Sequence, residues 1–406
     1  MPKDKIYDKI HTIVNQSKID DKLEKLALYC KKKNVKFTDK AFPPEESSLI
    51  GNPTESDYDY SMHKNKILKY KFARPENIFE NNDYELFKKI EPTDILQGEL
   101  GDCYFLAALA CLAEYPPLIA RLFEFDQKNP YGFYPIWLHI NGAWKRIIVD
   151  DYLPVFNTVS HSYYGQKDQL CFSQTNEKEL WVILLEKAYA KAFNGYYSIS
   201  GGITLRALRD LTGAPYERIP LKNNSNFEDK YSNMIWEKLK IANDKQYMMT
   251  CSTPGNNHNI RNKNNLAAGH AYSILDVIEY NDINNRIQRL IQIKNPWGKI
   301  EWNGDFSDES DLWRYEDKNQ YINKDEDGIF WIKAADFVEN FDEIGVLLIQ
   351  PDYRSNSVNF VQTKESNKSI AKLIIDESFC KNGKIDITIS IDQTSSKTMG
   401  NSYSLR

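Results

Sequence analysis

The stretch "ELGDCYFLAALACLAEYP", residues 99–116, sets a polar, turn-prone Gly101-Asp102-Cys103 against an apolar, alanine-rich run that reads as a buried helix. A cysteine at the mouth of such a helix admits two readings. Small thiols are common in protein cores, and Cys111, further along the same run, is read that way. Cys103 instead faces the unsatisfied N–H groups of a first helical turn, which favour negative charge. A thiol attacks only as its thiolate, so this position suits a nucleophile.

Such a nucleophile needs a base, and the base needs an orienting group, both remote in sequence and near in space. Of the six histidines, His11 and His63 precede the globular part, and His161 and His258 sit in polar, loop-like stretches. His139 belongs to a strand run that turns at Asn141-Gly142, as a β-hairpin does. His270 heads "GHAYSILDV", where Gly269 lets the chain approach closely before a strand begins. Further on, "IKNPWG" closes another strand and presents Asn295, a proline-stiffened turn and Trp297. An asparagine carbonyl beside a histidine N–H fixes the ring and its tautomer, and an indole shields that bond from water. Each feature alone is commonly structural; the chain order Cys, His, Asn selects among them.

Composition bounds the rest. The chain has 406 residues, 41% hydrophobic and 13% aromatic, enough for real cores and for two or three domains. A formal charge of −5 excludes a dedicated nucleic-acid binder. No apolar run reaches the length of a transmembrane segment, and the first residues lack a signal-peptide core. Peripheral membrane contact and oligomeric state are left open. Cysteines 30, 103, 111, 171, 251 and 380 are scattered, with no CxxC pair. That pattern offers neither a disulfide frame nor a zinc site and suits a reducing, cytoplasmic location.

Four segments follow. Residues 1–60 read as amphipathic helix, then an extended proline-rich passage, "AFPPEESSLIGNP". Residues 61–213 read as helical, with "ELWVILLEKAYAKAFNGYYSI" a long helix ending near Gly195. Residues 214–350 read as β-rich, through "YMMTCST", "HAYSILDVIEY", "RIQRLIQIKNPW", "GIFWIKAADF" and "VLLIQP". Residues 351–406 alternate like β-structure but are too few for a whole sandwich.

"TDILQGELGDCYFLAALA", "LLEKAYAKAFNGYYSISGG", "GHAYSILDV", "IKNPWGKIEWNGDFSD" and "DEDGIFWIKAADFVENF" together resemble, in order, the signature blocks of the calpain family of papain-like cysteine proteases. "KFTDKAFPPEESSLIG" and "RPENIF" resemble the lead-in, so the likeness covers about residues 36–350. It implies an α+β, papain-like core of two lobes, one helical and carrying the nucleophile, one β-rich and carrying the histidine and asparagine. It also implies Cys103 as nucleophile, His270 as general base and Asn295 as orienting residue. Gln97 would complete an oxyanion hole with the Cys103 N–H, and Trp297 would be the shielding indole. Tyr104 stands where many members have tryptophan. The tail from 351 would open a C2-like sandwich; with no penta-EF-hand module after it, the chain is a non-typical member or a piece of a longer one.

Residues 301–327 hold ten acids against three basic residues, set on turns around Trp302, Trp313 and Trp331. "NKDEDGIFWIKA" fits the first half of an EF-hand loop but has Ala334 at its twelfth place, before a strand-like flank, so an EF-hand is not expected. The resemblance implies instead one Ca2+ per lobe. In the β-rich lobe, Glu301, Asp308, Asp325 (through its carbonyl) and Asp327 fall on ligand positions, and Ile329 replaces a further acid. In the helical lobe, Asp94 and Glu186 match ligands, but "LFKKIEPTD", with Lys88 and Lys89, replaces a glycine-rich loop. One weakened site and one absent site are expected.

The chain is therefore read as an intracellular cysteine endopeptidase acting on protein substrates, modulated by calcium. A catalytically silent calpain-like scaffold that binds calcium or partners is the second reading. A transglutaminase-like acyltransferase ranks last, because such an enzyme would orient its histidine with aspartate.

Overall fold

Apolar runs of helical period fill the first half of the chain, and runs of period two fill the second. The computed structural model describes residues 21–51, 69–156, 168–221, 229–255, 260–322 and 327–349. Residues 1–20, the tail from 351, Cys380, Asp325, His11, His63, His161 and His258 lie outside these.

Helix α1 (Asp21–Lys33) opens with Asp21 and Glu24 and closes on Lys31, Lys32 and Lys33, matching its macrodipole. Helix α2 (Cys103–Ala113) is the alanine-rich run, and every one of its residues is buried. Pro116 and Pro117 then prevent its continuation. Strands β1 (Phe133–Ile140) and β2 (Ala143–Asp150) pair antiparallel. Asn141 and Gly142 both take positive φ (54° and 77°), the geometry a two-residue type I′ turn demands. Helix α3 (Trp181–Ala192) stops three residues before Gly195. Helix α4 (Thr204–Thr212) closes on left-handed Gly213, whose N–H reaches Arg209 O at 2.7 Å.

Strands β3 (Tyr216–Pro220), β4 (Met248–Ser252), β5 (Ala271–Asn281), β6 (Ile287–Lys294), β7 (Ile329–Lys333) and β8 (Glu343–Leu347) form one antiparallel sheet, ordered β7-β6-β5-β4-β8-β3. All five strand-like runs of the sequence contribute to it. The sequence reading missed helix α5 (Asp229–Asp244), whose buried Ile235, Trp236, Leu239 and Ala242 recur at helical spacing. The tail of "GIFWIKAADF" likewise leaves the sheet as a short helix, Ala334–Asn340.

Two apolar cores result, and α2 joins them. The first surrounds α2, α3 and α4 and continues onto Met248, Ala271 and Leu347 of the sheet. The second lies between the sheet, α5 and Phe337 and Phe341. Because α2 has no polar face, its backbone can be crossed by the sheet directly: Ser273 Oγ donates to Ala107 O (2.8 Å) and Cys111 Sγ to Met249 O (3.1 Å). On its other flank Phe105 stacks on Tyr189 of α3, centroids 4.3 Å apart. Phe105→Ala is expected to cost about 3–5 kcal/mol, the range for truncating a buried aromatic. Urea unfolding should report it as a lowered midpoint.

Candidate active site

Helix α2 begins at Cys103, and strand β5 begins one residue after His270, so the seating of α2 on β5 brings the two together. The Cys103 sulfur lies against the N–H of Ala271, the residue after His270. Two hydrogen bonds with Thr253 hold the His270 backbone: its N–H donates to the Thr253 side-chain Oγ1 (3.0 Å), and Thr253 N–H donates to His270 O (3.0 Å). The imidazole is buried, with Nε2 2.9 Å from Asn295 Oδ1. Trp297 covers it at 4.1 Å between ring centroids, and Tyr272 meets it edge-on at 4.8 Å.

Asn295 decides the tautomer. Its Nδ2 donates to Lys299 O (3.0 Å) and Ile300 O (2.9 Å), and its Oδ1 accepts the Trp297 N–H (3.0 Å). The amide therefore has one orientation, and the oxygen facing His270 can only accept. Neutral His270 must carry its proton on Nε2, which leaves Nδ1 as the basic nitrogen. His139, by contrast, packs edge-on against Trp144 inside the β1–β2 hairpin, a structural place.

Gln97 lies on the loop before α2. Its Nε2 donates to Leu100 O (2.7 Å), which leaves a second N–H, while Oε1 is buried without a hydrogen-bond partner. Gly98 fixes the loop, because a Cβ there would stand 2.1 Å from Phe172 O and 2.4 Å from Cys171 O.

Burial pushes the Cys103 thiol up to about 11. The N–H groups of Ala271, Tyr104 and Cys103 itself pull it down, and Asp102 pushes it up further, but burial dominates. At the mouth of α2, beneath the sheet, desolvation thus outweighs the pull of the helix N–H groups on the thiol.

The acids sort differently from the sequence reading. Burial, together with Glu301 and Asp327, pushes Asp308 up to about 7, so these three carboxyl groups converge. Trp302, Trp313 and Trp331 each anchor the surrounding loops by an indole N–H to a backbone carbonyl. Glu301 Oε1 accepts the Gly328 N–H (2.9 Å) and Asp327 Oδ1 the Ile329 N–H (2.7 Å), while Asp327 O accepts from the buried ammonium of Lys294. Burial lowers that ammonium to about 8 against the opposing pull of Asp327, Glu301 and, more weakly, Asp94. Among the described residues, no group of three or more His, Cys, Asp or Glu side chains is arranged to hold a metal ion. These oxygens, committed to backbone N–H groups and an ammonium, do not fit a calcium ion as they stand.

In the helical half the structure does not bring Asp94 and Glu186 together. Glu186 lies inside α3, fully buried, against Asp102 and the Ser173 N–H (3.1 Å). Asp94 caps its own turn through the Glu91 N–H (2.8 Å), and burial followed by Glu179, Glu91 and Glu177 pushes it up to about 7. Its acidic neighbour is thus Glu179, which the sequence reading passed over. Glu179 Oε1 accepts the N–H groups of Lys88 and Lys89 (2.9 Å from the latter). Its place two residues before α3, directly ahead of the buried run that begins at Leu180, was the available signal.

Comparison with known proteins agrees with this geometry. Residues 37–347 match the family described as calpain family cysteine protease. The chain is 32% identical over 331 residues to the calpain-type cysteine protease DEK1 of Arabidopsis thaliana, covering 80% of this chain and 14% of that protein. It is 33% identical over 342 residues to calpain-9 of Rattus norvegicus, 81% of this chain and 45% of the relative. It is 31% identical over 343 residues to the rat calpain-1 catalytic subunit, 81% and 44%. The chain therefore spans less than half the length of each of these relatives.

If His270 is the proton acceptor for Cys103, alkylation by iodoacetamide should already proceed near neutral pH. A thiol left at about 11 is ionised to only about one part in 10⁴ at pH 7, and its thiolate fraction rises tenfold per pH unit. In His270→Ala the alkylation rate is therefore expected to be low at neutrality and to climb with pH toward 11. Superimposable pH profiles for the two proteins would remove His270 from that role.

Proposed function

The chain belongs to the calpain family of cysteine proteases, and from that membership and the site geometry we propose that it is an intracellular endopeptidase making limited cuts in protein substrates. The observation that carries this is the buried His270–Asn295 pair (2.9 Å) under Trp297, beside a cysteine at the mouth of a buried helix. The five described cysteines are all free and buried, which suits a reducing compartment. No helix among the described residues is long and apolar enough to cross a membrane.

In this reading Cys103 gives its proton to His270 Nδ1, and the sulfur attacks the scissile carbonyl carbon. The oxyanion forms opposite the free N–H of Gln97 and the Cys103 N–H at the helix end. Imidazolium at His270 is oriented by Asn295 Oδ1, and its proton passes to the departing amine as the C–N bond breaks. Water, deprotonated by Nδ1, then attacks the thioester, and the thiol is restored. Trp297 keeps solvent from the His270–Asn295 bond. Calcium modulation, which the resemblance implies, would have to act through Glu301, Asp308, Asp327 and Asp325. The three described carboxylates do not fit it unaided, and no step above runs through a metal.

The test is cleavage of labelled casein across a calcium titration and in chelator. Cleavage lost in Cys103→Ala supports the protease. Gln97→Ala should lower kcat by about 10²–10³ with little change in KM, as for removal of one oxyanion donor. The roofed, desolvated Cys103 is the observation that favours the second reading. No cleavage under any condition, by a folded protein whose Cys103 also ignores an epoxide probe, would make the chain a silent calpain-like scaffold.

A further inference from the structure

Lys294 is fully buried, yet it stands where the sequence concentrates carboxylates. Its place follows from strand register. Lys294 pairs with Ser273 on β5 and with Ile329 on β7, so these three side chains share one face of the sheet. That face is turned toward the helical half, because Ser273 donates to Ala107 of α2. Asn295, next in the chain and just past the strand, has its Oδ1 against His270 Nε2.

On this face the Lys294 ammonium donates to Asp327 O and is drawn by the Asp327 and Glu301 carboxylates of its own half. Asp94, in the turn ahead of α2, attracts it from the other half. The halves touch here: a Cβ on Gly298 would lie 2.4 Å from Leu96 Cδ2, two residues beyond Asp94. Ile329 opposite adds no carboxylate and offers only its N–H, which Asp327 Oδ1 accepts. A desolvated ammonium survives only among acids that compensate it, and converging acids survive only with a cation among them.

We infer that Lys294 is a built-in counter-cation: its ammonium, bonded to Asp327 O and facing the Asp327 and Glu301 carboxylates, supplies the positive charge that a divalent ion would bring there, and ties this group to Asp94 across the two halves. The inference concerns the regulation of the proposed protease and rests on that reading for its consequence, a closed arrangement that needs no calcium. A divalent cation could enter only by displacing the ammonium, since two like charges cannot share a desolvated site.

The test reads metal binding directly, so its failure is distinct from a failure to cleave. The full chain, Lys294→Met and Lys294→Arg are titrated with terbium, exciting tryptophan and following terbium emission, with melting temperature recorded in chelator and in calcium. Wild type and Lys294→Arg are expected to give no saturable emission in the micromolar range and no melting shift with calcium. Lys294→Met should bind terbium at least about tenfold more tightly than wild type, melt lower in chelator and recover with calcium. Equal terbium affinity in wild type and Lys294→Met overturns the inference, as does a Lys294→Met protein that folds but binds no terbium. Should Lys294→Met not fold, wild type decides alone: saturable micromolar terbium binding with a calcium-raised melting temperature overturns the inference, and its absence upholds it.

Discussion

The seating of α2 on the sheet is the constraint from which the site follows. A helix buried on every side cannot face solvent, so it must be sandwiched, and the partners available are α3 and α4 on one flank and β4 and β5 on the other. The hydrogen bond from Ser273 Oγ to Ala107 O is notable because that carbonyl already accepts within the helix and uses its second lone pair here. It sets the helix at one position along β5. Cys103, one turn before Ala107, is thereby delivered to the N-terminal end of β5, where His270 stands. Cys103 and the His270–Ala271 step come from sequence positions far apart and are neighbours because one apolar surface has one place to go.

The same economy governs the base. Asn295 carries no charge, so burying it costs only the satisfaction of its amide, and Lys299 O, Ile300 O and the Trp297 N–H supply that. An aspartate here would make the imidazolium easier to form but would itself need a further donor in a buried turn. Asparagine gives orientation and tautomer without adding charge beneath the indole. The Pro296-Trp297-Gly298 turn is thus a structural necessity for the hydrogen bond as well as its cover; Gly298 takes φ 65°, and its contact with Leu96 leaves no room for a side chain.

Much of this was legible in the sequence, and the boundary has a physical cause. The helix at Cys103, the Asn141-Gly142 hairpin and five strand runs depend on neighbours within a few residues, which a linear pattern records. The Cys, His, Asn order was legible because each residue sits at an element's end beside turn residues. Helix α5 was missed because its apolar spacing is sparse among polar residues and the strands around it set the expectation. Glu186 was named by resemblance alone, and a linear pattern does not tell that Glu179, just before α3, is the carboxylate that neighbours Asp94. Lys294 read as an ordinary strand residue, since its partners arrive from Asp94 and from the loop that holds Asp327. The thiol's raised pKa was unreadable for the same reason, as the roof over α2 is tertiary.

Charge around Cys103 is set by burial as much as by pairing. Asp102 and Glu186 are both fully buried and adjacent, and the Asp102 carboxyl is eased by Glu186 and by a backbone N–H against a dominant burial penalty. Burial drives both upward, the Asp102 charge raises Glu186 further and the hydrogen bond from Glu186 holds Asp102 back, so the pair shares a proton. A carboxylate one residue from the sulfur opposes its ionisation, and a proton shared by the pair lessens that opposition. The acids near Lys294 meet the same difficulty with an ammonium in place of a proton, one that burial itself lowers to about 8. The Asp102–Glu186 pair is thus relieved by a proton, and the Asp327 and Glu301 carboxylates by the Lys294 ammonium beside them.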